Sequence, residues 1–256
     1  MVTFGNGPPD WSPAQAWAYA LGAPYHAQHG VPHNALPEMT GVTRIAHKVI
    51  AAKKTAMMLK TDWSIDGAET LVSTLNWLGA EGHRRPNSMM IRHYSLLRRA
   101  AIAARREELR DAGRTDPGAL KELWRLDAVQ ADTDGIRGGV LIGFDAARAV
   151  MLARAGWLLG WLTEPVLWDY ILDVARDVRR HFTSWAEYAQ DYRLSRNIWR
   201  ASNTPDLFDG IASSLLISAE SPWRTLPWQV PGLEVPRPAR PFDPTAPVWT
   251  LELWDS

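Results

Sequence analysis

Apolar residues recur every three or four positions through most of the chain, and no stretch predicts a paired strand. The pattern predicts helices. SPAQAWAYALGA opens one from Pro13 to Leu21, with Ser12 as N-cap, Pro13 at the first helical position and Gln15 completing a capping box. PYHAQHGVPHNALPEM, broken by Pro24, Gly30, Pro32 and Pro37, reads as a loop. A second helix is expected over Thr43 to Leu59. A third is capped by Asp66 with Glu69 answering it, carries Leu71, Val72, Leu75 and Leu78 as its stripe, and stops at Gly82. Arg92 to Arg110 reads as one basic helix, and Asp116 with Pro117 starts another that ends near Val129. QADTDGIRGG is a joint.

The segment after that joint sets the architecture. FDAARAVMLARAGWLLGWLTE, Phe144 to Glu164, is apolar nearly all round when wound at helical pitch, which predicts a buried central helix. Its length would suit a membrane span, but Asp145, Arg148 and Arg154 would each cost roughly 2.5 to 3.5 kcal/mol near the middle of one. Their charges must therefore be paired or reach a cavity. Pro165 to His181 follows after a short connection, giving an antiparallel helical hairpin. Ser184 and Glu187 cap the next helix, and Leu207 to Ser218 is the last. The expected fold is all-α, a single helical domain of about seven or eight helices around the buried hairpin. Residues 1–220 form the domain. Residues 221–256, with eight of the eighteen prolines, form an extended tail packed on it and anchored by Trp249 and Trp254.

Charge narrows the function classes. Twenty-eight basic and twenty-eight acidic side chains cancel, so no overall field favours nucleic acid or an anionic membrane. Without cysteine there are no disulfides, thiolate zinc sites or thiol nucleophiles. A reducing compartment fits, and MVTFGNGPPDW lacks the n- and h-regions of a secretory leader, so a cytoplasmic location is expected. Fourteen tryptophans spread along the chain point to aromatic packing between helices.

Four groups of residues could carry chemistry. His26, His29 and His33 have spacing that could converge on zinc, but no carboxylate stands in register, and neither a metal nor a cofactor is expected. GIRGGVLIG lacks the lysine–hydroxyl pair of a phosphate loop and reads as a hinge. Nine arginines between Arg84 and Arg114 face only Glu107, Glu108 and Asp111. Arg98, Arg99, Arg105 and Arg106 in this stretch suit an acidic protein partner; nucleic acid is disfavoured because few aromatics are interleaved for stacking. Asp145 and Arg148 sit one turn apart at the start of the central helix. They are expected to form a buried ion pair, with Arg148 or Arg154 as the partner of Asp145. The competing arrangement is a polar cleft of His83, Arg84, Asp145, Arg148 and Arg154 with His181 as acid or base.

GFDAARAVMLARAGWLLGWLTE and the residues that follow it to Trp199 resemble the bacterial family catalogued as domain of unknown function 1266. That family is typified by W-D-x-x-R, L-A-R-x-G, G-Y-L, an S-W pair and a closing F-W. LNWLGAEGHR, Leu75 to Arg84, is similar to its upstream G-H-R element and SPWRTLPW, Ser221 to Trp228, to its terminal one, so that the resemblance extends from Ser12 to Trp228. Phe144 replaces the usual tryptophan and Trp161 the usual tyrosine, each keeping an aromatic. The resemblance implies a helical fold and the matching positions Gly82, His83, Arg84, Asp145, Arg148, Arg154, Trp185, Tyr192 and Trp199. It implies no mechanism, although some members lie near secretion or toxin loci. The function expected is therefore non-catalytic macromolecule binding, as an immunity or adaptor factor, with an enzyme built around Asp145, Arg148 and His83 or His181 as the alternative.

Overall fold

The computed structural model describes residues 10–36 and 42–234, the side chains of 42–49 excepted. In chain order the helices are α1 (Pro13–Ala20), α2 (Ala23–His29), α3 (Val42–Trp63), α4 (Ala68–Ala80), α5 (Arg84–Ser95), α6 (Arg99–Ala112) and α7 (Pro117–Ala131). A 3-10 turn, Thr133–Gly138, leads to α8 (Ile142–Leu158), α9 (Glu164–His181), α10 (Trp185–Arg200), α11 (Leu207–Ile217) and α12 (Pro222–Thr225). Among the described residues there is no strand, and no helix is long and apolar enough to cross a membrane.

α8 is the axis of the fold. All of its residues are buried except Trp157, which is half-buried, and α9, α10 and α4 pack round it. Gly143 lets α10 come close: a β-carbon there would stand 2.6 Å from the Tyr192 backbone nitrogen and 2.8 Å from its α-carbon. α10 also caps α8. Asp191 accepts from the backbone N–H groups of Leu141 and Gly143, both at 2.7 Å, and Ser195 Oγ accepts from Phe144 N at 3.1 Å. These bonds satisfy donors that the first turn of a helix cannot satisfy itself. Burial nevertheless dominates at Asp191 and pushes its carboxyl up to about 6, against the opposing pull of the Gly143 and Leu141 N–H groups.

The tryptophans pack between helices as their spread along the sequence predicts. Trp17 of α1 meets Trp185 of α10 at 4.7 Å and Trp228 at 4.8 Å between ring centroids. Trp223 of α12 is stacked on Trp185 and donates from its indole N–H to the Ala20 carbonyl at 2.8 Å. A second, smaller apolar cluster joins α5, α6 and α7 through Ile91, Tyr94, Leu109 and Leu126.

The structure departs from the pattern at several places, each with a local cause. The proline-broken loop contains α2, because Pro24 falls in the first turn, where its missing N–H costs nothing, and Gly30 ends the helix in the left-handed region. The single basic helix is two helices, α5 and α6, because Arg98 is extended at their junction. The start of α4 is bound by Thr70, whose Oγ1 accepts from the N–H groups of Asp66 and Gly67, with Gly67 as N-cap; Glu69 takes no part. The segment expected to be an extended tail opens with helix α12, capped by Ser221, and its residues beyond 234 lie outside the described residues. Trp249 and Trp254 lie outside the described residues.

Candidate functional site

Asp145 lies on the first turn of α8 and is buried. Its Oδ1 accepts from Arg148 Nη2, one turn along the same helix, and its Oδ2 accepts from the backbone N–H of Arg84 at 3.0 Å, with the Arg84 guanidinium at 3.6 Å. The second bond joins distant parts of the chain. Arg84 is the first residue of α5, whose N-cap position, His83, supplies no side-chain cap; the Asp145 carboxylate takes that place from another helix. Arg84 also donates to the carbonyls of Leu78 and Gly79, so it closes the C-terminus of α4 with a cation. One carboxylate and one arginine thus fix the α4–α5 corner onto α8. Gly82 makes the corner possible. It has φ +55°, in the left-handed region, and a β-carbon there would run into the Asp145 carboxylate.

Arg148 is 3 % exposed and held on all sides. Its Nε donates to the Phe144 carbonyl at 3.3 Å, and its guanidinium carbon lies 4.0 Å from the Phe144 ring centroid and 5.4 Å from that of Trp63. His83 completes the set with Nδ1 2.7 Å from Arg148 Nη2 and 3.7 Å from the nearer Asp145 oxygen. A guanidinium has only donors, so an unprotonated His83 Nδ1 accepts from Arg148, whereas a protonated one donates toward the Asp145 carboxylate. Burial alone would raise the Asp145 carboxyl, but His83, Arg148 and Arg84 together outweigh it and hold the group below its usual range.

The network continues outward on α9. Arg84 Nη2 is 3.9 Å from Asp177, which lies 3.7 Å from His181 Nε2. At Asp177 burial is again outweighed, here by His181, Arg84 and Arg180, and the carboxyl is lowered. Of the six residues expected to form a polar set, His83, Arg84, Asp145 and Arg148 meet directly, and His181 joins through Asp177. Asp177 was missed in the sequence because nothing in its helical register distinguishes it from the exposed Asp173 before it. Arg154 does not belong. Nine residues beyond Asp145, it comes about half a turn round α8 and lies on the side of α2, where it is the leading charge acting on His26.

The arginine-rich stretch divides in the same way. Arg105 pairs with Glu108 at 2.6 Å and Arg106 with Asp127 at 2.5 Å, so both are engaged within the protein. Arg98 and Arg99 are exposed and pair with no described carboxylate. Next to them, α5 presents Met89, Arg92 and Leu96 at helical spacing on one outward face, with Met89 57 % and Leu96 74 % exposed. No group of three or more metal-ligand side chains occurs among the described residues.

No curated protein and no solved structure matches the chain. The model of the family described as proteins of unknown function, DUF1266, matches residues 58–228, a narrower span than the resemblance from Ser12, since it begins near the end of α3 and leaves α1 and α2 outside. That span runs through the whole Asp145 network and covers more than half of the sequence, and the chain belongs to this family.

Proposed function

We propose that this protein is a non-catalytic binding factor that recognises an acidic protein through the basic and apolar face formed by α5 and the start of α6. The observation that carries this reading is the composition of that face. Arg92, Arg98 and Arg99 stand beside the exposed Met89 and Leu96, and no carboxylate occurs in the sequence between Glu81 and Glu107. Arginine with exposed large apolar side chains is the combination that binding surfaces concentrate, the cation to choose the partner and the apolar groups to hold it. The saturation of Asp145 supports the same reading. Both of its oxygens accept bonds from within the protein, so the polar set has the partners of a structural junction.

An immunity or adaptor role in the cytoplasm is the form of binding we propose. The test is site-specific photo-crosslinking from position 96 in cells of the organism that carries the gene. A discrete adduct with an acidic protein, lost in the Arg98→Glu, Arg99→Glu double variant whose melting temperature stays within a few degrees, is expected, because exposed charges usually contribute within about 0.5 kcal/mol to folding. An adduct that persists after charge reversal refutes the assignment to this face.

A further inference from the structure

The far side of α8 from Asp145 carries a second polar cluster. Arg154 is 7 % exposed, and it makes no hydrogen bond or ion pair with any described residue; its Nε is buried without a partner. His26 of α2 is buried beside it, stacked on Tyr19 of α1 with ring centroids 4.3 Å apart, and His33 lies 5.6 Å from His26 between centroids. All four ring nitrogens of His26 and His33 are buried with no hydrogen-bond partner among the described residues. Gly22 packs against this group from behind, where a β-carbon would stand 3.0 Å from His26 Nε2. Arg154 is the leading charge acting on His26 and on His29, so the cation and the imidazoles share one place.

Five unpartnered buried nitrogens in one cluster are unlike an ordinary interior, where nearly every buried polar group is bonded. The charge is more telling still. A buried guanidinium is normally paired, and Asp145, the carboxylate on the same helix, is turned the other way and already bonded. The fixed charge of Arg154 also decides the sign of what the cluster can hold. Two imidazoles could ligate a metal, but a neighbouring guanidinium repels a cation, and no third metal-ligand side chain joins them among the described residues. The imidazoles are held neutral, chiefly by burial, with His33 lowered to about 4. A neutral imidazole still donates one N–H, and the guanidinium adds a fork of parallel donors that matches a carboxylate or phosphoryl group.

The geometry points to an oxyanion-binding site formed by Arg154, His26 and His33, which takes the phosphoryl or carboxylate group of a small molecule. Access is from the His33 side, because the neighbouring residues of that loop, Val31, Pro32 and Asn34, are half-buried while His26 is enclosed. The site is separate from the α5–α6 face and does not depend on the binding role proposed for it.

The full chain, labelled with nitrogen-15 at arginine and histidine, is titrated with inorganic phosphate or with acetate at constant ionic strength, chloride making up the balance. The Arg154 Nε–H signal and the ring nitrogens of His26 and His33 are expected to shift and saturate with at least one anion, and the melting temperature to rise with it. His33→Gln at the edge of the cluster should weaken binding on the order of tenfold, and Arg154→Gln should abolish the saturable shift of the histidine signals. If Arg154→Gln does not fold, His33→Gln alone decides. Saturation by phosphate only identifies a phosphoryl ligand, by acetate only a carboxylate, and by both the oxyanion chemistry they share. No saturable shift with either anion, or saturation equal in wild type and His33→Gln, overturns the site.

Discussion

Removing the Asp145 carboxylate should strand two buried donors at once. In Asp145→Ala, Arg148 keeps its charge, its place between Phe144 and Trp63 and its bond to the Phe144 carbonyl but loses its carboxylate partner, and the N–H of Arg84 at the start of α5 loses its cap. Breaking a buried pair by deleting one partner costs about 3 to 5 kcal/mol, and a missing N-cap about 1 kcal/mol. Asp145→Asn keeps one oxygen, which can serve Arg148 or Arg84 but not both, while its NH2 group faces the other donor; its stability should fall between wild type and alanine. Arg148→Met removes the stranded cation, so the double variant should lose less than the sum of the two single losses, with a coupling of about 1 to 3 kcal/mol. Urea unfolding at neutral pH, followed by tryptophan fluorescence and far-ultraviolet circular dichroism, reads all four stabilities. An Asp145→Ala protein within about 1 kcal/mol of wild type, or strict additivity with Arg148→Met, would refute the junction and favour a carboxylate kept for chemistry.

Two further substitutions and one titration test the same framework. Gly82→Ala should destabilise by more than the roughly 1–2 kcal/mol of a bare left-handed alanine, because the methyl group also meets Asp145; a neutral result would mean that the α4–α5 corner is not held as described. Gly143→Ala should cost about 1–3 kcal/mol by forcing α10 off α8, measured as a shift in the urea midpoint. The buried carboxyls of Asp191 and Asp145 should act in opposite directions with pH. Asp191, raised in the fold to about 6 from 3.8, holds its proton where the unfolded chain has lost it. Its contribution is present below pH about 4 and lost as pH rises through about 6, on the order of 3 kcal/mol across that window. Asp145, lowered in the fold, contributes above its unfolded value of 3.8 and is lost as pH falls below it. Asp191→Asn should flatten the first limb and Asp145→Asn the second; an unchanged pH–stability profile in either variant counts against the corresponding burial.

The central helix was legible because its evidence is redundant: a segment apolar all round with only three charges has few soluble solutions, and Asp145 and Arg148 one turn apart are neighbours on any helix. The bond from Asp145 to Arg84 was not derivable, since it spans sixty-one residues and depends on a left-handed glycine at the end of another helix. Arg154 stands with the Asp145 set as a candidate only because it is a charge on the same apolar helix. The spacing of nine residues already carried the opposite answer. Arg106 is likewise indistinguishable in sequence from Arg98 and Arg99, because its pairing with Asp127 across to α7 is a tertiary fact, whereas Arg105 and Glu108 are neighbours on any helix. α2 was hidden by its prolines and glycine, residues that break helices in the middle yet begin and end them well.

The bond between Trp223 and Ala20 joins residues 203 positions apart, and Trp17 of the same helix, α1, packs against Trp185 and Trp228, which are made much later. At about 5 to 20 residues per second, roughly 10 to 40 seconds of synthesis separate α1 from its cover. Helix α1 is therefore made well before its cover, and for that interval the Trp17 face stays open to chaperones and to neighbouring nascent chains.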